Sequence, residues 1–256
     1  MDYISENYNF KGKTVAVTGS SRGLGKEIAL AFARAGANLV LASRSIDKLE
    51  QIAEDIKSSG SKALPLEVDV RVKKSVEAFV EKACAEFGRI DILINNAGVI
   101  YRAPATELSE EQWDETIAIN LKGTFLCSQA VGRSMVENRA GKIISIASDK
   151  AFVGFPGRVA YCASKGGIVM LTKALAVEWA PFNVQVNAVA PTYVETEMTR
   201  DILNDPEKYQ EIIKAIPMNR VSKPDELFGA IMLLASDASS FITGHTLMVD
   251  GGLTAW

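Results

Sequence analysis

The chain has 256 residues, 48% of them hydrophobic and 23% charged, with a net charge of −3. That balance belongs to a folded globular protein and not to a disordered one, and the length admits one large domain or two small ones. Lysines and arginines are scattered, which argues against nucleic acid as a partner, and no apolar run reaches the roughly 18 residues that would cross a bilayer.

The first ten residues read as an N-terminal tail (1–10) without the basic-then-apolar pattern of a signal peptide. Three cysteines without paired spacing fit a reducing cytoplasm. The single histidine, His245, reads as a loop residue. It leaves no His-based metal cluster and no Ser-His triad to assemble, so no metal is expected.

Apolar, β-branched runs recur at 14–18, 38–43, 63–68, 90–95, 142–148, 184–190 and 246–249. Between most of them the apolar residues take helical spacing, over 24–35, 46–59, 72–87, 109–137, 160–179 and 224–235. Continuously hydrophobic strands are buried on both faces of a parallel sheet covered by helices. The alternation predicts a single doubly wound α/β domain over 1–256, with a mainly parallel seven-stranded sheet and helices on both faces. The stretch 192–222 interrupts it as a polar, Met-bearing, helical insertion after the sixth strand. Ligands bind outside the carboxyl ends of strands in such sheets, so this insertion is placed to act as a substrate lid.

The first strand runs into Gly19-Ser20-Ser21-Arg22-Gly23-Leu24-Gly25 and then a helix. Glycine allows positive φ and close backbone approach, and the unpaired N–H groups of a helix N-terminus attract an anion such as a pyrophosphate. By itself the pattern also describes a tight βα turn that binds nothing. The second strand ends Ser43-Arg44, with no acid before Asp47. In dinucleotide folds an acid near this place holds the free ribose 2′-hydroxyl. A hydroxyl and a guanidinium there suit a 2′-phosphate instead, with Arg22 facing it from the glycine turn. The other reading is a pair of solvated arginines.

Tyr161 and Lys165 are four residues apart, one helical turn from each other. A nearby ammonium stabilises a phenolate and makes tyrosine a better acid–base group. The spacing alone is common on solvated helices, and its weight comes from Ser148 at the end of the preceding strand and Asn120 in the helix before that.

Thr18-Gly-x-x-x-Gly-x-Gly25, Asn95-Asn96-Ala97-Gly98, Asn120, Ser148 and Tyr161-x-x-x-Lys165 together resemble the short-chain dehydrogenase/reductase family, of Rossmann fold, from Lys13 to Gly252. The resemblance implies that Tyr161 is the general acid or base and that Ser148 orients the substrate carbonyl. It implies that Lys165 binds the nicotinamide ribose and lowers the tyrosine pKa, and that Asn120 holds a water linking Lys165 to solvent. The cofactor NADP is then expected against Gly19, Ser21, Arg22, Gly23, Leu24 and Gly25 and against Ser43 and Arg44. Asp69 and Val70 would meet its adenine, with Asn96, Ala97 and Gly98 beside the ribose. Tyr161, Lys165, Pro191, Thr192, Val194 and Thr196 would meet its nicotinamide end. One departure is Pro191-Thr192, where the family usually has Pro-Gly.

The resemblance also implies a homotetramer through the helices at 109–137 and 160–179 and the C-terminal strand, with Leu121, Phe125, Val169, Leu175 and Trp179 as candidate interface residues, each equally placed for core packing. Lys150, Phe155, Arg158 and Tyr193 flank the catalytic strand ends as candidate substrate residues, and Lys150, Arg158 and Arg220 are candidate partners for a substrate carboxylate. Further stretches (95–102, 178–180, 217–220 and 249–252) resemble sugar-acid dehydrogenases of the gluconate 5-dehydrogenase and deoxygluconate dehydrogenase type. Several are shared with 3-oxoacyl-carrier-protein reductases, so reduction of a 3-oxoacyl-carrier protein or of carbonyls generally is the alternative activity. The expected activity is NADP-dependent interconversion of a secondary alcohol and a ketone on a small molecule, a sugar acid or polyol. A non-catalytic dinucleotide sensor is the reading from a different class.

Overall fold

The computed structural model of the chain describes residues 3–255. Seven parallel strands lie in the order β3-β2-β1-β4-β5-β6-β7: β1 Thr14–Thr18, β2 Asn38–Ser43, β3 Ala63–Glu67, β4 Ile92–Asn95, β5 Gly141–Ile146, β6 Val184–Pro191 and β7 Thr246–Val249. This is the doubly wound arrangement expected from the alternation.

Successive side chains of a strand point to opposite faces, and the cores follow that period. Val15 and Val17 of β1 pack with Leu39, Leu41, Ile92 and Ile94 in one core, beneath helices α2 (Gly23–Arg34), α3 (Ile46–Ser58) and α10 (Phe228–Ala235). Ala16 belongs to the opposite core with Val40, Ala42 and Leu93, beneath α4 (Lys73–Phe87), α6 (Gly123–Glu137) and α7 (Val159–Trp179). Full burial of a Leu, Ile or Phe side chain is worth about 1.5–3 kcal/mol, so the two cores hold the strand ends, and the loops on them, in fixed positions.

The expected continuous helix at 109–137 is three pieces. Ser109 and Gln112 form a capping box that starts α5 (Glu110–Thr116), a π-helical turn follows at Ile117–Lys122, and α6 completes it. A Cβ at Gly123 would lie 2.7 Å from Val70 Cγ2, so only glycine lets the helix approach the end of the third βα unit. The π turn carries Asn120.

Several side chains expected at subunit interfaces are core residues. Val169, Leu175 and Trp179 are buried, and the Trp179 ring lies where a Cβ on Gly132 would come within 2.5 Å of Cη2. Leu121 is partly buried against the small core of Ala147 and Ile168. The large apolar residues that α6 and α7 do expose are Phe125, Val159, Met170 and Val177, the last two at 62% and 80%.

The segment expected as an N-terminal tail is anchored among its described residues. Tyr3–Asn7 forms one short helix, α1, and buried Phe10 packs edge-on against Phe32 with 5.1 Å between ring centres. Met1 and Asp2 lie outside the described residues.

After β6 the chain leaves the alternation as anticipated. It forms α8 (Arg200–Leu203) and α9 (Pro206–Ala215) and returns through a bridge between Val194 and Ser222. Asp205 caps α9 and Pro206 sits at its first position, the usual start chemistry of a helix. Tyr193, Ile212, Ile213, Ile216 and Val221 give this excursion its own small core. His245 is exposed in the loop before β7, as expected. Among the described residues no helix is long and apolar enough to cross a membrane.

Candidate active site

Strand order reverses between β1 and β4, and a crevice outside the carboxyl ends at that point is where open α/β sheets bind ligands. A cavity of about 650 Å³ occupies it. The cavity is lined by every residue expected at the cofactor, and by Ser148, Lys150, Arg158 and Tyr193. Asn120 and Phe155 do not line it.

At one end, Gly19, at φ +66°, carries the turn from β1 into α2. A Cβ there would fall 2.8 Å from Ala97 Cα, and one on Gly25 would fall 2.3 Å from Asn96 Nδ2. The Asn96 amide donates to the carbonyls of Thr18 and Gly19, while Thr18 Oγ1 accepts from the N–H groups of Asn96 and Ala97. The β1 and β4 ends are thus tied into one frame. Arg22 begins the helix without a side-chain cap, so the first N–H groups of this 12-residue helix stay available at the cavity wall.

Although no acid stands between Arg44 and Asp47 in sequence, one stands near an arginine in space. Glu197, from the 192–222 excursion, lies 3.8 Å from the Arg22 guanidinium, both groups being solvent-exposed. Asp69, which lines the cavity as expected, also receives the Arg71 side chain at 2.6 Å, and its carboxyl is held below the ordinary value by that hydrogen bond. Ser43 Oγ accepts from the N–H of Ser45, which leaves its own proton free to donate.

At the other end stand Ser148, Tyr161 and Lys165. Lys165 is 4% exposed, its Nζ donates to the carbonyl of Ile146 at 2.6 Å and lies 5.5 Å from the centre of the Tyr161 ring. Burial pushes the Lys165 ammonium down to about 8. Burial pushes the Tyr161 phenol up to about 12, a hydrogen bond with Ser148 offsetting part of this and the charge of Asp149 adding to it. An ammonium that is itself half-neutral near pH 8 is a weak counterion for a phenolate.

Asn120 is held a layer behind the cavity. Its Oδ1 accepts from the N–H of Val99, and its Nδ2 donates to the Val99 carbonyl and to Ser164 Oγ. Both amide atoms are therefore committed to protein partners.

Behind Ser148 lies a cluster that motif reading did not reveal. The Asp149 carboxylate accepts from Ser148 Oγ at 2.8 Å, from Lys150 Nζ at 2.6 Å and from Thr192 Oγ1 at 2.8 Å. Asp149 and Lys150 are both buried. Lys150 Nζ also lies 4.7 Å from the centre of the Phe155 ring. Phe155 thus supports the two cations Lys150 and Arg158 from outside the cavity. The signal for this cluster was an acid directly after Ser148 together with a hydroxyl where a glycine is usual at Thr192.

The family model described as Enoyl-(Acyl carrier protein) reductase matches residues 19–254. The chain is 42% identical over 253 residues to a D-threitol dehydrogenase of Mycolicibacterium smegmatis, covering 98% of this chain and 97% of that one. It is 38% identical over 250 residues to a 5-keto-D-gluconate 5-reductase of Escherichia coli, covering 98% of each. A crystal structure of a gluconate 5-dehydrogenase from Burkholderia cenocepacia, in complex with NADP and tartrate, superposes with a TM-score of 0.96 at 37% identity, covering 99% of this chain and all of that one. The chain belongs to the short-chain dehydrogenase/reductase family. As a member of that family it is an oxidoreductase on a single Rossmann-like domain. Its Asp149–Lys150–Thr192 cluster sits directly behind the serine of the family motif.

Proposed function

We propose that the chain transfers hydride between NADP(H) and a secondary alcohol or ketone, on a sugar acid or polyol. The observation that carries this reading is the convergence of Ser148, Tyr161 and Lys165 on the same cavity as the glycine turn. The sugar dehydrogenases among its relatives support the substrate class.

The residues present fit NADP. The uncapped start of α2 offers N–H groups to a pyrophosphate, and Arg22, Ser43 and Arg44 offer charge and a hydroxyl to a 2′-phosphate. Asn96, Ala97 and Gly98 wall the ribose, and Pro191, Thr192, Val194 and Thr196 face the nicotinamide end. NADP(H), when bound, supplies the hydride or accepts it.

Tyr161 gives its phenolic proton to the carbonyl oxygen in reduction and takes it back in oxidation. Matched proton transfer of this kind is worth typically 10²–10⁴-fold. With its pKa raised, Tyr161 is protonated at neutral pH, the state that reduction requires. Ser148 orients the same oxygen. Lys165 favours the phenolate when it carries its proton, and Asn120 acts by fixing the backbone at Val99 and the hydroxyl of Ser164 behind the site.

The 192–222 segment serves as the lid, because Thr196, Met198 and Thr199 already line the cavity. The exposed apolar residues of α6 and α7 suit a homotetramer, and the unpaired cysteines suit the cytoplasm. Light scattering that showed a stable monomer at micromolar concentration would refute the assembly.

The activity is tested by mixing the protein with NADPH and a panel of keto sugar acids, ketoses and 3-oxoacyl thioesters while following cofactor absorbance. Oxidation of NADPH with the sugar-derived ketones supports the reading. Turnover confined to thioesters, or none at all, overturns it.

A further inference from the structure

Arg158 precedes α7 and lines the substrate half of the cavity, yet it is only 6% exposed. Its guanidinium lies 4.4 Å from the centre of the Phe155 ring and 5.3 Å from that of Tyr193, and it donates one hydrogen bond, to Tyr193 Oη at 3.0 Å. Among the described residues no carboxylate pairs with it. The nearby buried acid, Asp149, is already matched by Lys150 at 2.6 Å and further satisfied by Ser148 and Thr192.

Besides Lys165, the buried charges of this half are Lys150 and Arg158 against Asp149, an excess of one further cation. Arg102 adds a second at the mouth, where its guanidinium donates to the Met198 carbonyl at 3.3 Å. The proximity of Arg158, after burial, is what pushes the Arg102 pKa down. Burying an unpaired charge is costly. A guanidinium does not escape that cost by losing its proton, and its planar fork is the complement of a carboxylate.

We propose that Arg158 is the seat of a carboxylate on the substrate, so that the site selects the anion of a sugar acid over the neutral polyol of the same chain. This rests on the reading of a polyhydroxy substrate given above. The simpler role, a prop between two aromatic rings, accounts for the stacking but not for a fork with unpartnered N–H groups in the wall of a cavity.

D-Gluconate and D-glucitol differ only at C1, carboxylate against hydroxymethyl. Both are alcohols, so neither reacts with protein already loaded with NADPH, and calorimetric titration of that complex reads binding apart from turnover. D-Gluconate is expected to bind about 10- to 100-fold more tightly than D-glucitol, the range of a charge-assisted hydrogen bond. Arg158→Gln is expected to remove that difference while leaving NADPH affinity and D-glucitol binding in place, and Arg158→Lys to restore part of it.

Equal binding of the two probes, no binding of either, or D-gluconate binding that survives Arg158→Gln overturns the proposal. Parallel weakening of both probes in Arg158→Gln assigns the residue a structural role and also overturns it. The wild-type comparison stands even where a variant does not fold. A difference that depends on Arg158, found in a protein without sugar turnover, upholds the carboxylate seat and refutes the activity alone.

Discussion

Thr192 gives its hydroxyl proton to the buried carboxylate of Asp149 across 2.8 Å, joining the end of β6 to the residue that follows Ser148. The family usually has glycine at this position, so the contact is an addition that this chain makes to its own site. It is one of three bonds to Asp149, and Ser148 Oγ makes another. Loss of one donor to a buried carboxylate costs about 1–3 kcal/mol. Thr192→Val should therefore lower the melting temperature by several degrees, at about 2–4 °C per kcal/mol for a chain of this size. Turnover should fall with it, because the serine is no longer held from behind. An unchanged melting curve would show that Asp149 needs only Lys150.

Asp149→Asn is the harsher change. It leaves the Lys150 ammonium, 4% exposed, without its counterion. Breaking a buried pair from one side costs about 3–5 kcal/mol. The variant should unfold at clearly lower urea than Thr192→Val. If the two midpoints coincide, the Lys150 charge is relieved in some other way and the pair matters less than its geometry implies.

Tyr161→Phe should retain NADPH binding and lose two to four orders of magnitude in turnover, since the phenol is the one proton donor assigned to the reacting oxygen. Fluorescence titration with NADPH checks the first half and steady-state kinetics the second. Turnover within tenfold of wild type would move the proton transfer to another group.

The sheet was legible because its strands are uninterrupted apolar runs and two-sided burial requires such runs. The glycine turn, Ser148, Tyr161 and Lys165 were legible because each sits at a strand end or on a helix whose position the alternation already determines. The break of 109–137 at Ile117–Lys122 was not legible, because a π turn keeps the helical apolar spacing and is decided by the fit of Gly123 against Val70. Nor were the partners of Asp149 and Asp69. These bonds join Thr192 to Asp149 across 43 residues and fold Arg71 back two residues, and no pattern along a chain reports where a long side chain turns.

Stability should rise with pH between about 8 and 10. Burial pushes both Lys165 and Lys142 down to about 8, from an ordinary value of 10.5. Above pH 8 the unfolded chain holds protons that the folded chain has released, so raising the pH favours folding. The thiols of Cys127, pushed up by burial from 9.0 to about 12, and of Cys84, also pushed up by burial, oppose the rise from about pH 9. The Tyr161 phenol, pushed up to about 12 from 10, opposes it above pH 10, where the folded chain keeps a proton that the unfolded one loses. The rise is therefore steepest between about 8 and 9. Urea midpoints at pH 7.5, 8.5 and 9.5 test this, and Lys142→Met should flatten part of the rise. A midpoint that falls steadily over that interval would contradict the burial of both amines.

Cofactor choice turns on Arg22, Ser43 and Arg44. All three line the cavity, and no acid follows β2 until Asp47. Charge-assisted hydrogen bonds are worth about 1.5–3 kcal/mol each, so two arginines on a 2′-phosphate favour NADP over NAD by roughly 10²–10⁴-fold where their effects add. Glu197, 3.8 Å from Arg22, competes for one of them, and both groups are exposed to solvent and salt. The expected preference therefore lies at the low end of that range. Glu197→Gln should increase it by a few-fold, because Arg22 is then left to the phosphate. Ser43→Asp with Arg44→Leu should reverse it, since a carboxylate at the end of β2 accepts from the free ribose hydroxyls and repels a phosphate. The measurement is kcat/KM for both cofactors at fixed ionic strength in wild type and both variants. A wild type that prefers NAD would make Arg22 and Arg44 solvated surface residues, and the glycine turn would then owe its affinity to the α2 N-terminus alone.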